Sequence, residues 1–270
     1  YSLLLAPLLD ALESNTRLQI VPHGVLHYVP FHALHDGNAY VIERWSVSYL
    51  PNAALLHVGQ ARPAATGGMV ALGFSAGDIL PHAAAEATAI AKLGRGQLLL
   101  EAEATRSRLA ESVVGRRIVH LATHGEYHSD QPLFSGLLLA DGWLTTLDAF
   151  DLDLNAALVT LSACQSGRSV LGGGDELLGL TRAFLHAGAN ALLISMWAVE
   201  DRSTSRWMQS FYTHLLGGCN KAEAIRRVQR QFLDGAAEAR ATGQPAYDHP
   251  YFWAPFFLVG DASPLALARE

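Results

Sequence analysis

Between Gly67 and Thr123, short apolar runs of strand character alternate with helix-like stretches: GGMVALGFS (67–75), AAAEATAIAKL (83–93), GQLLL (96–100), TRSRLAESV (105–113) and RIVHLAT (117–123). A chain that alternates in this way is constrained to right-handed βαβ units and a parallel sheet covered by helices. The pattern resumes after the hairpin-like GLLLADGWLTT (136–146). A strand reaches Leu161, a Gly-rich GGGDE (172–176) leads to the helix LLGLTRAFLHAG (177–188), and the strand ANALLISMW (189–197) follows. The helices SRWMQSFYTHLLGG (205–218) and KAEAIRRVQRQFLDGAAEAR (221–240) come next, and the aromatic YFWAPFFLVGD (251–261) reads as a closing packed strand. Ahead of this α/β body, LQIVP (18–22), VLHYVPF (25–31) and YVIERWSVSYLP (40–51) are separated by His23-Gly24 and Asp36-Gly37-Asn38, which predicts a β-hairpin-rich N-terminal part. The opening YSLLLAPLLDAL reads as an amphipathic helix, and the absence of an initiator Met before Tyr1 is what a segment of a longer protein or a trimmed chain would show.

The fold class expected is therefore α/β in a single domain over 1–270, since no composition shift marks a linker. Half of the 270 residues are apolar, enough for a substantial core. A net charge of −6 with no Lys/Arg run argues against a nucleic-acid or anionic-membrane surface. No stretch approaches the ~20 apolar residues of a membrane span. Two cysteines make no disulfide framework, so a cytoplasmic, reducing setting is the expectation.

Two strand ends carry the chemistry. The apolar run Ala157–Leu161 breaks into Ser162-Ala163-Cys164-Gln165-Ser166-Gly167, which places Cys164 at the carboxyl end of a strand, where open α/β sheets bind their ligands. Forty positions earlier, His124 and Gly125 follow RIVHLAT at the end of another. If the two strands are neighbours, the imidazole can take the thiol proton and return it to a leaving group, and the N–H groups of Gly125 and Cys164 can hold an oxyanion. The bland alternative is that Cys164 is a small buried hydrophobe. His120, His124 and His128 have the i, i+4, i+8 spacing of helical metal ligands. In a strand, however, His120 and His124 stand ~13 Å apart, so no metal or other cofactor is expected. His120 reads as a hydrogen-bonded core residue. The Gly-rich loop lacks the Lys and Ser/Thr of a phosphate loop, and Asp175 and Glu176 fit better as helix N-terminal residues or as part of a substrate loop.

The motifs VPHGVLHYVPFHAL (21–34), HLATHG (120–125), LVTLSACQSG (158–167), GGDELLGLTRAFLHAGANALLISMWAVED (173–201) and HPYFWAPFFLVGD (249–261) resemble the CHAT domains. These are caspase-like modules of the caspase–separase–legumain clan of cysteine peptidases. The resemblance implies a caspase-like, mostly parallel sheet flanked by helices, with a degenerate N-terminal lobe over about 1–105 and a catalytic lobe over about 106–270. It also implies a His124–Cys164 dyad and endopeptidase activity on a specific protein substrate. The setting it implies is bacterial defence or cell death, with a gasdermin-like effector as substrate and a tetratricopeptide-repeat region or protein as partner. A catalytically inactive interaction scaffold is the alternative. Strand alternation adds Ala122 and Ser162 as pocket residues beside the dyad. The neighbouring strand end and loops add Ser195, Trp197, Asp201, Asp175 and Glu176 as substrate-binding candidates.

Overall fold

The computed structural model describes residues 1–53, 65–77, 79–126, 128, 130–162, 175–197, 201–243 and 245–265, with the backbone alone for 175–178, 201, 237 and 238. The strands in chain order are β1 (Arg17–Ile20), β2 (Ser46–Tyr49), β3 (Gly67–Gly73), β4 (Gln97–Leu100), β5 (Arg116–Ala122), β6 (Gly125–Glu126), β7 (Gly136–Leu139), β8 (Gly142–Thr145), β9 (Leu158–Ser162), β10 (Ala191–Ser195) and β11 (Phe256–Gly260). Eight of them form one sheet in the order β1-β2-β11-β10-β9-β5-β3-β4, and β6-β7-β8 form a second, small sheet. In the large sheet every described neighbouring pair is parallel except β10–β11, so β4, β3, β5, β9 and β10 end at one rim.

The helices, likewise in chain order, are α1 (Leu9–Leu12), α2 (Val41–Arg44), α3 (Ala83–Gly94), α4 (Arg106–Val113), α5 (Thr146–Phe150), α6 (Asp175–His186), α7 (Asp201–Leu216), α8 (Lys221–Asp234), α9 (Ala236–Ala241) and α10 (Pro250–Trp253). Alternation of side chains along each strand sends Leu158, Leu193 and Leu258 into a core with Trp207, Phe211 and Ile225 of α7 and α8. Val119, Leu161 and Ile194 enter the opposite core with Leu109 of α4 and Leu180 and Phe184 of α6. The alanines of α3 allow a close approach to β3. A methyl group placed on Gly73 would come within 2.8 Å of the Ala87 methyl.

The α/β body follows the sequence pattern, and the N-terminal part does not. β1 and β2 pair in parallel, Arg17 with Ser46 through Ile20 with Tyr49, so no hairpin joins them. The run 25–31 is not a strand. Gly24–Tyr28 and Phe31–Ala33 are 3-10 turns, and Val41–Arg44 is a helix. The causes are local: Gly24 sits at a φ of +56°, and Pro22 and Pro30 have no N–H to give a ladder. The Asp36-Gly37-Asn38 turn does form, with Asp36 Oδ1 accepting from the Asn38 and Ala39 N–H groups, but it closes only the single bridge His35–Tyr40. A parallel pair needs a crossover, and this stretch supplies it.

His32 closes that crossover onto the core. Its Nε2–H donates to the Ala254 carbonyl at 2.7 Å, and Nδ1 lies 3.1 Å from the Tyr49 hydroxyl. Burial pushes its pKa down to about 4, with the Ala254 bond offsetting part of the drop. The ring is thus neutral when folded, while the unfolded chain takes up a proton near pH 6.5. Stability from this residue is complete above that value and is lost as pH falls toward 4. The drop from 6.5 to about 4 corresponds to about 3 kcal/mol in all, of which about 2 kcal/mol is gone by pH 5. Urea unfolding at pH 7.5 and pH 5 should show that loss in the wild type, and His32→Gln should reduce it by about 2 kcal/mol. An equal loss in both proteins would exclude His32 as its source.

Candidate active site

β5 and β9 are neighbours, and their register pairs Ile118 with Leu158 and Ala122 with Ser162. Every rung therefore joins residues forty apart in sequence, which is the separation of His124 and Cys164. Cys164 itself, and with it the thiol and N–H expected in the dyad and oxyanion hole, lies outside the described residues. Among the described residues, the bond from Thr123 N–H to the Ser162 carbonyl, 3.4 Å, is the last between the two strands. Beyond it the chain bends away from β5 and enters β6 at Gly125.

The small sheet holds His124 in place. Leu138 N–H donates to the His124 carbonyl at 2.8 Å, and the Thr123 hydroxyl donates to the Leu138 carbonyl. Gly125 faces Leu137 as a non-hydrogen-bonded pair, because the ladder bond passes through His124, and the Gly125 N–H stays outside this ladder. The imidazole is half-buried, and its ring lies 6.0 Å from that of Trp143 on β8, tilted by 58°. Nothing in the sequence pattern singled out Trp143, because its approach to His124 depends on a hairpin folding back across a strand end.

The other expected residues lie as follows. Ala122 is 0% exposed, within a cluster of Ala71, Ala83, Ala87 and Ala91, and presents no surface to a pocket. Strand alternation does not carry from Ala122 to His124, because Thr123 bends the chain between them. Ser162 is 6% and Ser195 8% exposed, the latter ending β10 at the same rim. The Trp197 indole N–H donates to the Tyr251 carbonyl at 3.0 Å, which ties the loop after β10 to α10. Asp175 opens α6 and Asp201 opens α7, and Glu176 lies in the first turn of α6.

His120 is a core residue. Its Nε2 meets Glu86 Oε1 at 3.1 Å and its Nδ1 meets the Tyr212 hydroxyl at 3.3 Å, so both nitrogens are engaged inside the sheet–helix layer. Among the described residues no three His, Cys, Asp or Glu side chains gather at metal-binding distance, and no helix is long and apolar enough to cross a membrane.

Similarity to solved structures follows the sheet. The Saccharomyces cerevisiae separase in its complex with securin superposes with a TM-score of 0.59 over 87% of this chain and 15% of that one, at 12% identity. The Arg-specific cysteine proteinase gingipain R gives 0.52 over 86% of this chain and 57% of that one, also at 12% identity. At these identities the likeness is one of fold, a caspase-like α/β fold. In sequence, the chain is 27% identical to tetratricopeptide repeat protein 28 of Homo sapiens and 26% identical to that of Mus musculus, over 96% of its own length. It spans 13% of each of those relatives. The CHAT domain model matches residues 1–261, and the chain belongs to the CHAT domain family.

Proposed function

We propose that the chain is a cysteine endopeptidase in which Cys164 is the nucleophile and His124 the general base and acid. The observation that carries this reading is the forty-residue register of the adjacent strands β5 and β9, the same separation that relates His124 to Cys164. His124 takes the thiol proton as sulfur attacks the scissile carbonyl carbon. The N–H groups of Gly125 and Cys164 receive the oxyanion, and the proton passes to the leaving amine as the C–N bond breaks. Water, deprotonated by His124, then hydrolyses the thioester and the thiol is restored.

With Ala122 enclosed in the alanine cluster, the small neutral side chain of Ser162 at the rim favours an uncharged, small-to-medium apolar substrate residue before the scissile bond. An arginine or lysine there would need a carboxylate, for which Asp201, Asp175 and Glu176 at the helix starts are candidates; an acidic residue ranks last. The partner is a tetratricopeptide-repeat region, in keeping with the names of the relatives, and the substrate is a protein, as the family resemblance implies. A gasdermin-like substrate and a role in defence rest on the family resemblance, and a cytoplasmic setting on the two-cysteine composition. The repeat-protein names of the relatives favour a second reading, a non-catalytic interaction module.

A peptide library varied at the residue before the scissile bond tests the reading. Cleavage should persist with a chelator and disappear after iodoacetamide treatment, because the thiolate and no metal does the chemistry. Loss with the chelator and survival of alkylation would replace the mechanism with a metal-dependent one. No cleavage of any member, nor of any protein in a cell extract, would favour the interaction module.

A further inference from the structure

We infer that Trp143 is a positioning residue for His124, an inference that rests on the peptidase reading above and deepens it. Trp143 pairs across the β7–β8 hairpin with Leu138, the residue whose N–H holds the His124 carbonyl. His124 between β5 and β6, Leu138 on β7 and Trp143 on β8 are thus joined in one row, and the indole at its end lies against the imidazole at its start, 6.0 Å between ring centres. Tilted ring pairs at this separation have a preferred geometry and so restrict rotation of the imidazole.

The platform is rigid at both ends. At the hairpin tip Ala140 N–H donates to the Ala104 carbonyl at 2.9 Å, and Asp141 Oδ1 accepts from the Arg106 N–H at 3.0 Å. At its base Thr146 donates twice to the Ser135 carbonyl, from N–H at 2.7 Å and from the hydroxyl at 3.0 Å. Leu137, Leu139 and Leu144 anchor the hairpin in the core. Trp143 is on the other face, half-exposed and outside the core clusters, and among the described residues the ring it packs against is that of His124. A large aromatic held on a fixed hairpin beside a base on a bend is the arrangement that keeps a proton-transferring ring in productive orientation.

The test uses the best-cleaved library peptide and measures kcat and KM separately for Trp143→Ala, Trp143→Phe and His124→Ala. Trp143→Ala should lower kcat by about ten- to a hundredfold, the scale of a misplaced catalytic group. KM should stay within about twofold, because binding is not what the indole serves. Trp143→Phe, which restores a ring, should recover most of kcat, and the thermal midpoint should not move in step with kcat across the series. If Trp143→Ala does not fold, Trp143→Leu carries the comparison with Phe. Raised KM with unchanged kcat would make Trp143 a substrate wall and overturn the inference. So would wild-type kcat in Trp143→Ala alongside an inactive His124→Ala. An active His124→Ala would instead remove the peptidase mechanism itself, and the inference with it.

Discussion

Cys164→Ala and His124→Ala are each expected to lower peptide-bond hydrolysis about a thousandfold or more, because neither an alanine methyl nor a thiol without its base can form and resolve the acyl-enzyme. The two losses should not add, since nucleophile and base act as a unit. Neither substitution should unfold the chain. His124 stands beyond the end of β5, outside the buried clusters, and its carbonyl, not its ring, holds the small sheet. Cys219→Ser is the control. That cysteine lies in the turn between α7 and α8, partly buried, with its N–H donating to the His214 carbonyl at 3.2 Å, and its replacement should leave the rate within about twofold. Rates on the best library peptide, with circular dichroism to monitor folding, decide the matter. Hydrolysis by purified Cys164→Ala at a wild-type rate would falsify the mechanism.

What the sequence made legible was set by locality. The body from Gly67 onward was readable because each strand and helix there is a run with its own period. The structure has α3 at Ala83–Gly94 and β5 at Arg116–Ala122, where the pattern put them. The hairpin of β7 and β8 was readable because its Asp-Gly turn is local, and Gly142 adopts a φ of +120° there. The N-terminal part departs from the sequence pattern because apolar runs such as VLHYVPF satisfy strand composition while Pro30 and Gly24 divert the backbone into 3-10 turns. The strands β1 and β2 instead find partners in each other and in β11, more than 200 residues away for β2, and no short window carries that information. The same limit explains the site. That His124 follows a strand end was visible from RIVHLAT, but the bend at Thr123 that separates it from Ala122, and the hairpin that brings Trp143 to it, are non-local pairings of side chain and backbone.

His120→Leu is expected to destabilise the fold by about 2–4 kcal/mol, the cost of leaving the buried Glu86 carboxyl and Tyr212 hydroxyl without their imidazole partner. Glu86 on α3 is 1% exposed and His120 on β5 is 0%, and their 3.1 Å contact continues through the Tyr212 hydroxyl on α7 to the Thr160 hydroxyl on β9, 2.7 Å further on. One hydrogen-bonded row thus crosses two helices and the two strands whose ends carry His124 and Ser162, and His120 and Thr160 are direct register partners within it. The i, i+4 spacing that suggests a metal pair therefore has another physical basis: His120 faces α3 and α7 from inside the sheet, while His124 lies beyond the bend. Removing the histidine alone leaves the Glu86 carboxyl group without that hydrogen-bond partner in a buried layer. The double substitution Glu86→Leu/His120→Leu removes both groups and should cost clearly less than the two single costs combined, a coupling read from a double-mutant cycle of urea midpoints. Tyr212→Phe, which breaks the row at its centre and leaves hydroxyl and imidazole partners unmet, should cost about 1–3 kcal/mol. Additive single costs, or a His120→Leu protein as stable as the wild type, would mean that solvent or another group reaches Glu86, and that the β5–β9 spacing is set by the apolar packing on either side of this row.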